Sequence, residues 1–252
     1  MNSYHALSAL VYDFDKPIGT SFGDIEFYQS LLQQYTCTGP MLEPAVGTGR
    51  FMIPLLEKGY DLYGFDLSKP MLEICIENFK AHQQDPHRLS QAGFADFKFP
   101  QTFSSIMIPS GTFLLMTDDN EIDAALNNFY QHLQSEGLLL FDIFLQPNFQ
   151  AGRTMIKRYP LSPEKEITLT MTESEIDHLD QVTTTFHRYD LWENHRLVES
   201  EREIFRLKWM GLKEISLRLQ NAGFRDISFT ADYQENNPPT SATQTITVIA
   251  HK

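Results

Sequence analysis

Between residues 40 and 144 short apolar runs alternate with longer amphipathic stretches, and this alternation constrains the fold more than any other feature of the chain. Strands separated by helix-length crossovers pair in parallel, and a series of them builds a doubly wound α/β sheet with helices on both faces. The strand candidates are 40–44 (PMLEP), 60–66 (YDLYGFD), 89–95 (LSQAGFA), 104–109 (SSIMIP) and 137–144 (GLLLFDIF). Helix candidates lie between them at 49–58, 69–82 and 119–135. The last places Ile122, Leu126, Phe129 and Leu133 at near-helical spacing, with Asp118 or Asp119 as its cap.

The flanks complete the architecture. Residues 24–32 read as a helix ahead of the first strand, with Phe27 and Leu31 on one face. Residues 153–208 change to period-two alternation, as in Ile167-Thr168-Leu169-Thr170-Met171, which marks half-buried antiparallel strands. Glu193-Asn194-His195-Arg196 suits the turn of a hairpin. Gly211 to Ala222 reads as a helix stopped by Gly223, and 224–231 and 243–250 as two closing strands. The expected fold is therefore α/β, a Rossmann-like mixed seven-stranded sheet carrying an inserted small antiparallel β sheet. Its divisions are 1–150 for the N-terminal helices and the ligand-binding core, 151–208 for the inserted sheet, and 209–252 for the last helix and two strands.

The 252 residues are 42% hydrophobic, enough to bury a core without metals or disulfides. Cys37 and Cys75 are too few for a disulfide framework or a four-ligand zinc site and fit a reducing cytoplasm. No apolar run approaches a membrane span, and the opening residues MNSYHALSALVYDFDKPIG lack a basic leader region. The net charge of −13 repels the phosphate backbone that dominates nucleic-acid affinity. A cytoplasmic protein with no nucleic-acid or membrane partner is the expectation.

The segment Leu42 to Phe51 carries the site signal. An apolar strand ends at Glu43 and runs into Gly47-Thr48-Gly49, a loop that opens a helix at the carboxyl end of a strand, where open α/β sheets bind ligands. Position 52 is Met where a dinucleotide-binding loop would carry its third glycine, which disfavours a pyrophosphate ligand and a nicotinamide-dependent oxidoreductase. Glu43 suits a ligand with a cationic or amino group. Asp66 closes the next strand, nineteen residues after Gly47, where a carboxylate can accept both hydroxyls of a ribose.

These residues resemble the class I S-adenosylmethionine-dependent methyltransferases. Glu43 to Arg50 is similar to their first motif, Gly64 to Leu72 to their second, Ala95-Asp96-Phe97 to their third, Ile108 to Phe113 to their fourth and Leu133 to Phe141 to their fifth. The resemblance implies S-adenosylmethionine as cofactor, with S-adenosylhomocysteine as its product, and a small-molecule methyl acceptor. It implies that Ala45, the Gly47–Gly49 loop and Arg50 back the methionine part, that Glu43 orders its amino end, and that Asp66 holds the ribose. It further implies that Asp96 accepts from the adenine amino group, that Phe97 offers its backbone amide, that Leu67 and Met71 wall the ring, and that Pro109 is among the cofactor-binding residues. Ala45 stands where many members have glycine, and a relaxed local turn would spare it a positive φ.

A sulfonium methyl is already activated, so the protein's task is to align the acceptor and exclude water. An amine acceptor needs only a group to take its proton. Tyr12, His187 and Tyr189 are the catalytic candidates, and Tyr28, Phe113 and Trp192 the candidates for acceptor contact. The inserted sheet is similar to the auxiliary sheet that small-molecule members place over the cofactor; its alternative use is a homodimer interface. A non-catalytic cofactor- or partner-binding protein on the same fold is the alternative for the whole chain.

Overall fold

The computed structural model describes residues 4–252. The first three residues, included in the reading of the N-terminus above, lie outside the described residues. The sheet is built from β1 (Met41–Pro44), β2 (Leu62–Asp66), β3 (Leu89–Gln91), β4 (Phe103–Ile108), β5 (Leu133–Phe144), β10 (Arg225–Ala231) and β11 (Thr245–His251). Its order is β10-β11-β5-β4-β1-β2-β3; neighbours from β5 to β3 run parallel, and β11 lies antiparallel to both β5 and β10. The strand order reverses between β1 and β4, and a ligand crevice opens at such a reversal.

The central strands are buried on both faces, as a parallel sheet requires. One face sends Leu42, Phe65, Ile106, Leu139 and Phe141 against α5 (Asp119–His132) and α6 (Leu212–Asn221) through Ile122, Leu126, Phe129, Ile215 and Leu219. The other sends Met41, Leu62, Met107, Leu138 and Leu140 against α2 (Asp24–Gln34), α3 (Met52–Glu57) and α4 (Lys69–Ala81). Ser68 caps α4, its hydroxyl accepting from Met71 N at 3.3 Å, and Asp118 caps α5 through the amides of Asn120 and Glu121. No helix among the described residues is long and apolar enough to cross a membrane.

Three boundaries differ from the sequence reading for local reasons. Helix α5 stops at His132 because Leu133 already pairs with Phe103 and the chain bulges at Glu136, φ +64°. Strand β3 ends at Gln91 because Asp96 folds back to accept from Gly93 N at 3.0 Å. Helix α3 starts at Met52 because Gly49 takes φ +94°. A Cβ on Gly49 would meet Ile53 Cδ1 at 3.0 Å and Cys75 Sγ at 3.2 Å, so this glycine serves helix packing.

A second sheet, order β6-β7-β8-β9, comprises β6 (Thr154–Ser162), β7 (Lys165–Asp177), β8 (Val182–Glu193) and β9 (Arg196–Lys208). The β8–β9 turn is the two-residue link expected: Asn194 and His195 both take positive φ, at 47° and 62°, which matches the twist of the flanking strands. One face of this sheet packs Tyr159, Ile167, Leu169, Tyr189 and Leu191 on Leu7 and Val11 of α1 (Ala6–Asp15). Glu201 of β9 accepts from the amides of Leu7 and Ser8 at 3.1 and 3.4 Å, satisfying donors that a helix leaves open in its first turn. Helix α1 is absent from the sequence reading because its partners lie almost two hundred residues downstream.

The loop after β1 is fixed by a buried ion pair. Arg50 is paired with Asp24 of α2, and these side chains are 3% and 0% exposed. The guanidinium also donates to Thr20 O at 2.6 Å and to Ser110 Oγ at 3.0 Å. Removing one member of such a pair strands a charge without solvent. Arg50→Ala is therefore expected to cost about 3–5 kcal/mol of stability in urea unfolding. A loss below about 1 kcal/mol, the range of exposed pairs, would show that the pair does not hold this loop.

Candidate active site

Two cavities meet at the carboxyl edge of the large sheet. The first encloses about 540 Å³ of space, part of it open to solvent, between Ala45 and Gly47 after β1, Asp66, Leu67 and Met71 after β2, and Ala92 to Phe94 after β3. The second, about 690 Å³, is lined by Lys16, Ser110, Gly111, Phe144, and Phe205 and Leu207 of β9. Tyr4, Tyr12, Thr112 and Leu115 line both. The auxiliary sheet thus reaches the site through β9.

Asp66 organises the first cavity. Its Oδ2 accepts from Gly47 N at 2.9 Å and its Oδ1 from Ser68 N at 2.8 Å, which ties the β1 loop to the start of α4 and fixes the carboxylate's direction. Burial raises the carboxyl above its ordinary range, and these amides pull it partly back. Gly47, at φ +59°, lies against Tyr12: a Cβ there would sit 3.6 Å from the ring. The Tyr12 hydroxyl is raised by burial, opposed by the neighbouring Arg50, and Lys16 Nζ stands 4.8 Å from the ring centre. Glu43, at the end of β1, is 3% exposed and pushed well above the carboxylate range by burial; its Oε2 has no hydrogen-bond partner.

The second cavity owes its wall to another buried carboxylate. Asp142, in the apolar run of β5, accepts from Tyr28 OH, Thr247 Oγ1, Tyr233 OH and Ser110 N at 2.9, 2.8, 2.9 and 2.7 Å. Burial pushes it up to about 6 while these donors pull it down. The bond from Ser110 N holds the Ser110-Gly111 turn at φ +62° and +71°. A Cβ on Gly111 would stand 2.2 Å from the Phe144 ring, so only glycine fits beneath that ring.

Several residues singled out in the sequence fall elsewhere. Arg50 is committed to Asp24, and Gly49 to packing; neither lines a cavity. Asp96 is exposed and closes the turn at Gly93, while the Phe97 amide donates to Gly93 O at 3.1 Å and its ring stacks on Phe65 and Phe129. Gly93 and Phe94 stand in the cavity in their place, three residues earlier, because β3 ends before the third motif. Ala45 does take a positive φ, +56°, against the expectation of a relaxed turn. Pro109 lies outside both cavities and turns its carbonyl to the Thr112 hydroxyl at 3.2 Å.

Tyr28 is fully buried with its hydroxyl on Asp142, and Phe113 packs on Phe141 in the core; neither is in reach of an acceptor. Trp192 lies on the opposite face of the auxiliary sheet, its indole N–H donating to Thr168 Oγ1 at 2.9 Å. His187 and Tyr189 share the inner face, 3.4 Å apart through Nδ1 and the hydroxyl, and His187 stacks on Phe205. Neither lines either cavity, and Tyr12 alone of the three catalytic candidates does. The sequence reading misses Tyr4, Thr112, Phe205 and Asp142; only Asp142 left a signal, as one acid inside the run GLLLFDIF.

Comparison with known proteins agrees with this arrangement. Residues 41–137 match a family model described as a methyltransferase domain. A Geobacillus sp. (strain WCH70) protein named "Putative methyltransferase" is 26% identical over 251 residues, covering 91% of this chain and 93% of its own. Two solved structures share the fold. The sugar N-methyltransferase KedS8 from Streptoalloteichus sp ATCC 53650 superposes with TM-score 0.75 at 18% identity, covering 94% of this chain and 92% of that one. The S-adenosylmethionine-bound amino pentose methyltransferase CalS10 from Micromonospora echinaspora gives TM-score 0.70 at 15% identity, covering 100% and 98%. Fold and site thus define a Rossmann-like methyltransferase. Residues 41–137 carry a methyltransferase domain, on a fold shared with solved S-adenosylmethionine-dependent methyltransferases.

The residues of the first cavity fit that cofactor: an oriented carboxylate at Asp66 and apolar walls at Leu67 and Met71; Glu43, buried with an unpartnered oxygen, lines neither cavity. Asp66→Asn keeps one acceptor oxygen for the two amides, sets its NH2 against the other N–H, and loses the charge. It should weaken S-adenosylhomocysteine binding in calorimetry by about 1.5–3 kcal/mol, the scale of hydrogen bonds to a charged group. Unchanged affinity would confine Asp66 to clamping the loop.

Proposed function

We propose that this enzyme methylates a nitrogen of a small, amine-bearing molecule. The observation that carries this reading is the second cavity, which adjoins the first across Tyr12 and Thr112 and has the volume of a small-ligand site. S-adenosylmethionine supplies an electrophilic methyl when bound. The chain's own residues do the rest: Asp66 binds the cofactor's polar groups, Tyr4 and Tyr12 separate the two cavities, and Phe205 and Leu207 roof the acceptor and exclude water. Nitrogen is favoured over oxygen because a neutral amine needs no strong base. The names of KedS8 and CalS10, a sugar N-methyltransferase and an amino pentose methyltransferase, point the same way for the acceptor class. The acidic net charge supports an acceptor other than nucleic acid, and the two free cysteines support a cytoplasmic location.

The test is a panel of amino sugars and amino acids, each beside its hydroxy analogue, incubated with S-adenosylmethionine and read by mass spectrometry. Products one methyl heavier are expected among the amines. Methylation confined to the hydroxy analogues, or cofactor binding without turnover of any member, would overturn the nitrogen reading.

A further inference from the structure

Glu203 lies on β9 opposite His187 and two residues before Phe205, so it shares the inner face whose neighbouring positions hold α1, through Glu201, and roof the second cavity, through Phe205. The residue is 6% exposed, and neither of its carboxylate oxygens has a hydrogen-bond partner. Among the described residues it is the one buried carboxylate left so on both oxygens. A buried acid in that state needs an explanation, and a missing cation is the simplest.

The groups facing it are Glu201 on its own strand, His187 and Tyr189 on β8, and Tyr4 ahead of α1. None is a cation: burial holds His187 neutral, down to about 4, and raises both tyrosines. Burial and Glu201 push Glu203 up to about 7; the Tyr189 hydroxyl pulls the other way without reaching hydrogen-bonding geometry. Tyr4 lines both cavities and feels the charges of Glu203 and Asp66 alike, which puts it between the cofactor cleft and this acid.

We propose that Glu203 receives the cationic amine of the methyl acceptor and takes its proton before methyl transfer. The inference rests on the nitrogen reading above and adds a residue and a charge state to it. An N–H bond of the ammonium breaks as an O–H bond forms on the carboxylate. The freed lone pair then forms the N–C bond while the C–S electrons stay with sulfur, and the methylated nitrogen leaves as a cation. Glu203 returns its proton to water when the product departs. Tyr4 turns aside to admit the amine.

Difference infrared spectroscopy tests this without turnover, using the S-adenosylhomocysteine-saturated protein at pH 7 and methylammonium as probe. The bound pair rests as ammonium and carboxylate, the proton moving only on the way to methyl transfer, so the protonated-carboxyl band of the wild type should fall as methylammonium saturates, and Glu203→Gln should show no such change. A wild-type band indifferent to methylammonium, or the same loss in Glu203→Gln, overturns the proposal. In the panel assay, Glu203→Gln should lower kcat/KM at least tenfold at pH 7 and remove a pH step near neutrality that Glu203→Asp retains; an unchanged pH profile would make Glu203 structural. If the panel gives no methylated amine while the infrared response is present, the acceptor reading fails and the amine site stands.

Discussion

The buried pair between Arg50 and Asp24 is the interaction on which the site's geometry depends. It joins the loop after β1 to α2, and its remaining donors hold the Thr20 carbonyl and the Ser110 hydroxyl. The two segments among these that line the cavities, the loop after β1 and the Ser110 turn, are thereby fixed to one charged centre. A buried ion pair contributes little net stability against an apolar substitute, yet it admits few alternative geometries, and here the geometry is what positions Gly47, Tyr12 and Ser110. The Asp142 cluster adds a second anchor to Ser110, so the turn above β4 is held from two sides.

The auxiliary sheet enters the same frame by way of α1. Its inner face buries Leu7 and Val11, and Glu201 satisfies the first amides of the helix. Tyr12, on that helix, lies over Gly47. Docking the sheet on α1 therefore sets the position of the aromatic side chain shared by both cavities, and brings β9 over the second. Cofactor loop, N-terminal helix and auxiliary sheet form one mechanical chain from Asp66 to Phe205.

The parallel core was legible because its signals are local. Apolar runs of strand length, a Ser68 cap and a Gly-x-Gly turn each act within a few residues. The same holds for the auxiliary strands, whose alternation and Asn194-His195 turn are short-range features. What escaped is what depends on distant partners: α1, stabilised by β9; Arg50, read as a cofactor contact because its loop touches the cavity, though its charge is spent on Asp24; and the aromatic candidates Tyr28, Phe113 and Trp192, whose ring types cannot reveal which face they occupy. The third motif slipped by three residues because β3 ends early, which moved the cavity wall from Asp96 and Phe97 to Gly93 and Phe94.

The central claim is that the cavity bounded by Ala45, Asp66, Met71 and Phe94 holds the cofactor, with acceptor chemistry on the far side of Tyr12. A crystal structure with S-adenosylhomocysteine bound tests it most directly. The account predicts ribose hydroxyls on the Asp66 carboxylate, adenine between Leu67, Met71 and Phe94, and the sulfur turned toward Tyr12 and Thr112. Adenine hydrogen-bonded to Asp96, or the ligand seated in the Phe205-lined cavity, would contradict it.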